Sequence, residues 1–273
     1  MTTSVEPPGV RIGHLPGTPS GGGLPGALAA EWTKLWSLRS TWWGLFGAGL
    51  LMGLVSMIMA EATVANNKDP GPEGPPGVVS VGDIATGAVE TVQFVVLAIA
   101  LLMVTGEYAT GSIRATLQWV PPRGRMLWSK AAVAVAVVFP TAVLLTLIGS
   151  VVAWFWLDEW GRVDAGDLVH DALTIGLYLS LMSVLVMGVG AMLRSTAATL
   201  TTAFIFVLVL PITLVNTGSE LLKDVADGLP SSAGRHMMNG DGPYPTVVAL
   251  AILAAWTAAA AWGGITVLRR RDA

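Results

Sequence analysis

The chain has 273 residues, 53% of them hydrophobic and only 12% charged, with a mean hydropathy of +0.66. So few charges cannot cover a soluble globule of this length, and a net charge of -3 provides no basic face for nucleic acid. The absence of cysteine excludes disulfides, thiolate metal sites and thiol nucleophiles.

In chain order, residues 1–26 are expected to be a flexible Pro/Gly-rich cytoplasmic tail, because PPGVRIGHLPGTPSGGGLPG is too broken for a helix and too polar for a secretion signal. Residues 27–40 are predicted as an amphipathic helix lying in the membrane interface. Leu28, Trp32, Leu35 and Leu38 fall near one side of it and Glu31 and Lys34 around the other. The alternative is that these residues are the half-exposed first turns of a longer hydrophobic helix.

Six apolar stretches follow, at about 42–60, 81–105, 129–157, 173–193, 197–215 and 246–268. Each approaches the ~20 residues a spanning helix needs, about twice what a barrel strand needs, so the fold class is all-α, a polytopic membrane protein with six transmembrane helices over 41–271. The third stretch is long enough to tilt, to extend beyond the lipid, or to bend at Pro140. Basic residues gather on one side of this topology, at Arg11, Lys34, Arg39, Arg114, Arg123, Arg125, Lys130, Arg194 and 269–271. The other side holds only Lys68, Arg162, Lys223 and Arg235, which predicts that both termini are cytoplasmic.

Outside the membrane, segments 61–80, 158–172 and 216–245 are predicted as extracellular. The first is expected to be mostly non-helical, and the third carries a short helical candidate at 219–226. Within the spans, Glu90 is the lone deep acidic residue, about 13 Å beyond Val81 at the helical rise. Three readings stay open for it: the wall of a transport cavity, a hydrogen-bonded place in a dimer interface, or a surface residue of a helix that enters later.

The connection at 106–130, GEYATGSIRATLQWVPPRGRMLWSK, is the most informative stretch. Glu107, Gly111 and Arg114 share one face if a new helix begins there, with Glu107 complementing its dipole, and Pro121 and Pro122 end it. Read by charge alone, it is an ordinary positive-inside loop.

This stretch, together with AEWTKLWSLRSTWW ahead of the first span, resembles the membrane subunits of bacterial ABC-2 type exporters, particularly actinobacterial ones. The resemblance implies an ABC-2 exporter-type membrane domain in a bacterial inner (cytoplasmic) membrane. Glu31, Trp32, Lys34, Leu35, Leu38 and Arg39 would belong to an elbow helix. Glu107, Gly111, Arg114, Thr116, Leu117, Pro121 and Arg123, with Lys130, would form a loop coupled to a separate ATPase subunit. Trp36 departs from the pattern, standing where basic residues are frequent in relatives. The implied partners are an ATPase dimer carrying ATP and Mg, a second permease copy in a homodimer, membrane lipid, and a small amphiphilic, lipid-like or peptide substrate. By the same resemblance, short helices enter the outer leaflet between the fifth and sixth spans; plain extracellular linkage is the alternative there.

No GxxxxGK[ST] run occurs, so ATP hydrolysis is expected on another chain, and this chain is expected to be neither an enzyme nor a holder of its own cofactor. No HExxH occurs, and Ser183 and Ser195 have no partner histidine in view. His236, Met237 and Met238 are contiguous and cannot easily converge on a metal. Two other function classes remain: an ATP-independent secondary transporter, and a non-transporting membrane scaffold or assembly subunit.

Overall fold

Each long apolar run becomes a helix. The computed structural model describes residues 23–72, 74–113 and 123–270, with the side chain of Arg123 excepted. Most of the expected tail, together with Arg114, Thr116, Leu117 and Pro121, lies outside the described residues.

Helix α1 (Gly23–Ser37) leads across the extended residue Leu38 into α2 (Arg39–Lys68). α1 begins four residues before its expected start, with Pro25 in the first turn, where a missing N–H costs no helical bond. α2 runs on past residue 60, because EATVANNK contains no breaker before Pro70, so the expectation that 61–80 is mostly non-helical holds only from Asp69 onward. The rest of that connection is held down: Asn67 Oδ1 accepts from the Gly77 amide at 2.8 Å, and its Nδ2 donates to the Gly77 carbonyl at 3.1 Å.

Strand β1 (Val79–Ser80) pairs in parallel with β2 (Gly161–Arg162), with Val79 opposite Gly161, and ties two connections together at one end of the bundle. Between them run α3 (Val81–Thr110) and α4 (Arg123–Leu157), the latter continuous through Pro140. α5 (Ala165–Leu193) is capped by Asp164, whose carboxylate accepts from the amides of Gly166 and Asp167. These two hydrogen bonds hold the Asp164 carboxyl below its ordinary range.

The fifth span is a helix of three parts. α6 (Thr196–Phe204) passes through a π-turn (Ile205–Val209) into α7 (Leu210–Val215). Pro211 has no N–H to give the Val207 carbonyl, and the helix widens in the turn before it. α8 (Glu220–Asp227) and α9 (Pro230–Asn239) precede the last helix, α10 (Thr246–Arg270).

Six of these segments are long and apolar enough to cross a membrane, so the protein is an all-α polytopic membrane protein. α5 is the most enclosed and packs on α3, α4 and α10, while α2 and the fifth span bury only one side. Backbones meet where α5 crosses α10: a Cβ on Gly188 would stand 2.4 Å from the Ala260 carbonyl oxygen. Small residues allow this approach, which replaces the hydrophobic drive that lipid cannot supply between helices.

α8 and α9 do not project away from the bundle. Trp256, about ten residues into α10, donates its Nε1 to the Gly228 carbonyl at 2.9 Å, which sets the α8–α9 turn about 15 Å along α10 from its start. The two helices therefore fold back beside α10 as a hairpin. Pro230, Ala233, Met237 and Met238 of α9 are buried, and Gly234 lies against the Tyr178 ring, where a Cβ would come within 2.1 Å of Cε2. The short-helix expectation for 219–226 is met by α8, and plain linkage across 216–245 is ruled out by the packing of α9.

Candidate functional site

The end of the bundle that carries α1 and the C-terminal arginines holds a buried ionic junction. Lys130 sits in the second turn of α4, its side chain 1% exposed. Its Nζ donates to Glu31 Oε2 at 2.6 Å and to Glu107 Oε1 at 2.8 Å. Lys34 Nζ completes the ring, at 2.8 Å from Glu31 Oε1 and 2.9 Å from the same Glu107 oxygen. Two carboxylates and two ammonium groups thus join α1, α3 and α4 with no net charge.

Burial makes the ring interdependent. Taking an ion from water costs several kcal/mol, so buried Lys130, Glu31 and Glu107 depend on one another, and on the half-exposed Lys34, to offset their desolvation. Partial burial opposes the Lys34 charge, but the hydrogen bonds and charges of Glu31 and Glu107 outweigh it and raise its pKa above the ordinary 10.5.

Two expectations are corrected at this junction. Glu31 does not lie on the wet side of the elbow: Ala27, Glu31 and Leu35, spaced by four, form the buried stripe, and Trp32 points outward at 46% exposure. Trp32 stacks edge-on to Trp36, which in turn packs on Trp42, so an aromatic row lines the outer side of the bend at Leu38. Glu107 does not open a new helix. It lies in the last turn of α3, which ends at Thr110 with Gly111 in the left-handed conformation, so Glu107 and Gly111 are not successive points on one helical face. The helix dipole disfavours a carboxylate there, and the two lysines supply what the dipole does not. Arg39 starts α2 on the exposed side.

The same end of α3 is gripped from a third direction. Thr196 Oγ1 donates to Thr105 Oγ1 at 3.0 Å, and the Arg194 guanidinium lies 5.4 Å from the Tyr108 ring centroid. The 111–122 connection therefore leaves from a point tied to α1, α4 and the α5–α6 corner.

A second polar place lies deeper, where α3 meets α9. Glu90 Oε1 stands 3.8 Å from Arg235 Nη1, both side chains partly exposed. One turn on, buried Gln93 donates to the Glu90 carbonyl at 2.8 Å and accepts from the Tyr178 hydroxyl at 2.5 Å. Ser231 and Ser232 complete a cleft of ≈ 50 Å³ with Val207, Pro211 and Ile212 opposite. Both serine hydroxyls are buried with no hydrogen-bond partner among the described residues. Helix α3 is continuous from Val81 through Glu90, whose side chain is about half exposed.

Sequence reasoning did not find Gln93, Tyr178 or Arg235. The available signals were a glutamine three residues after Glu90 and a tyrosine inside the fourth span. His236, Met237 and Met238 diverge: both methionines enter the core, and His236 Nε2 lies 3.1 Å from Asp227 Oδ1. Among the described residues no cluster of His, Asp and Glu could hold a metal.

No protein-family model matches this chain, and no curated protein matches it. The fold itself is that of a multi-pass membrane protein, a shape consistent with a transport-related role.

Proposed function

We propose that this chain is the membrane-spanning permease subunit of an ATP-driven exporter of the ABC-2 type, working as a homodimer on a separate pair of ATPase subunits in the bacterial cytoplasmic membrane. The observation that carries the reading is the buried junction of Glu31, Lys34, Glu107 and Lys130. A push on the 111–122 connection would reach α1, α3 and α4 together, because their ends move as one charged unit. Such a unit suits the rigid-body rearrangement that converts an inward-open state to an outward-open one.

In this account the basic end faces the cytoplasm, as the excess of lysine and arginine there favours. Arg114, Thr116, Leu117, Pro121 and Arg123 present the docking surface, while Glu107 transmits rather than docks. ATP and Mg act on the partner, and the substrate is a small amphiphile, lipid or peptide passing the Glu90–Arg235 level. The test is co-purification with the ATPase encoded by the adjacent gene. The expected result is a stable complex that Arg114→Ala/Arg123→Ala weakens while the permease stays folded; a permease that never retains an ATPase overturns the reading.

A second reading is favoured by one observation. Glu90 is a carboxylate about 13 Å along the apolar helix α3, partly exposed beside a cation, a pairing that an ion-coupled secondary transporter could use. Transport driven by a proton gradient in liposomes lacking ATP, and lost in Glu90→Gln, would move this reading ahead.

A further inference from the structure

Sharing Val207 with the Glu90 cleft, a larger groove runs between α5, the fifth span and α10. Its walls are Met182, Val186 and Val189 of α5, Phe206 and Val207 of the π-turn, and Trp256 of α10. Pro230, at the start of α9, closes one end beneath the hairpin turn, and Leu193, the last residue of α5, lies at the other. The volume is ≈ 440 Å³ and the lining is apolar apart from Thr202.

Three physical arguments identify the occupant. The first is volume: an apolar cavity of ~150 Å³ takes up one benzene, so this groove has room for roughly eighteen carbons. The second is length: from Met182 to Leu193 it extends about 16 Å along α5, about half of a ~30 Å hydrocarbon layer and hence one leaflet. The third is width: that volume over that length leaves a mean cross-section near ~27 Å², about a third of that of a helix ~10 Å across, so a transmembrane helix of a second copy cannot enter. A flexible hydrocarbon chain can.

The groove also has a structural origin. The π-turn displaces Phe206 and Val207 from the register of a regular helix, and Phe206 meets Trp256 edge-on at 6.2 Å. Trp256 is itself anchored to the Gly228 carbonyl, so the hairpin turn forms the roof. Left empty, such walls would forgo the dispersion contacts that surrounding lipid supplies elsewhere on the bundle.

We propose that this groove binds one acyl chain of a membrane phospholipid from the leaflet at the basic end, entering beside the α5–α6 corner with its tip beneath Pro230. The site does not depend on the exporter reading. It makes the hairpin roof and the local lipid a single packed unit, so that displacing one disturbs the other.

The test uses the full chain in nanodiscs containing phosphatidylcholine with a diazirine on one acyl chain, followed by light and peptide mapping. Labelling should concentrate in 182–193 and 202–207, several-fold above the more exposed α2. It should fall to the α2 level in Ala259→Trp, which fills the groove from α10, and in Thr202→Phe, which fills it from the opposite wall. Two separate fillings guard against one of them failing to fold. Labelling spread evenly over all lipid-facing spans, or unchanged by a folded filling variant, overturns the proposal. Groove labelling that disappears only when two copies share one disc would assign the groove to a second copy and overturn it equally.

Discussion

Lys130 shows how one side chain can organise a whole end of a membrane protein. Removing it leaves Glu31 and Glu107 facing only Lys34, so Lys130→Met should destabilise the fold by about 3–5 kcal/mol, read as a lowered unfolding midpoint in detergent. Lys130→Met combined with Glu31→Leu removes one charge of each sign and leaves Lys34 with Glu107. That double variant should recover most of the loss; no recovery would mean the lysine acts through packing alone. Lys34 carries a pH signature of its own. Its folded-state pKa lies above the ordinary 10.5, so its contribution is whole below 10.5 and is lost as pH rises through the folded value. The stability difference between the native chain and Lys34→Met should therefore be flat from pH 6 to 9 and shrink above about pH 10.5. A difference that changes near neutrality would contradict the assignment.

At the scale of elements, the spans were legible because a run of about twenty apolar residues has few other stable solutions. The elbow was legible as a helix but not in its facing. A glutamate in an amphipathic pattern reads as solvent-side until the lysine that receives it, 99 residues on, is brought beside it. The α8–α9 hairpin was only half legible. SSAGRHMMNG has the composition of a loop, and its burial depends on Gly234 fitting the Tyr178 ring and on Trp256 reaching Gly228. Because the chain has no cysteine, its placement can be tested directly. Ser231→Cys should react slowly with a membrane-impermeant maleimide and Asp241→Cys quickly; equal fast reaction would place the hairpin in water. The α5–α10 crossing gives a companion prediction. Gly188→Leu must force two backbones apart, and overpacking of this kind costs about 1–3 kcal/mol or more, seen as a lower midpoint than that of the native chain.

The whole molecule has two dissimilar ends joined by one core. One end carries the ionic ring, the α3 terminus and the exit of the 111–122 connection; the other carries the β1–β2 pair and the mouth of the hairpin. α3 runs the full distance between them, with Glu107 in its last turn and Glu90 and Gln93 beside α9. In the proposed mechanism a displacement at the basic end would pass along this one helix to the polar cleft. The coupling role proposed for the 111–122 connection came from resemblance alone, because a loop's partner leaves no periodicity in the loop itself. The most direct measurement is the ATPase rate of the complex reconstituted with the adjacent-gene ATPase, comparing the native permease with Arg114→Ala/Arg123→Ala. The account predicts stimulation by the native chain and a fall of roughly tenfold, ~1.4 kcal/mol of coupling, in the variant. A native chain that leaves the ATPase rate unchanged, or a variant that stimulates it equally, would contradict the account.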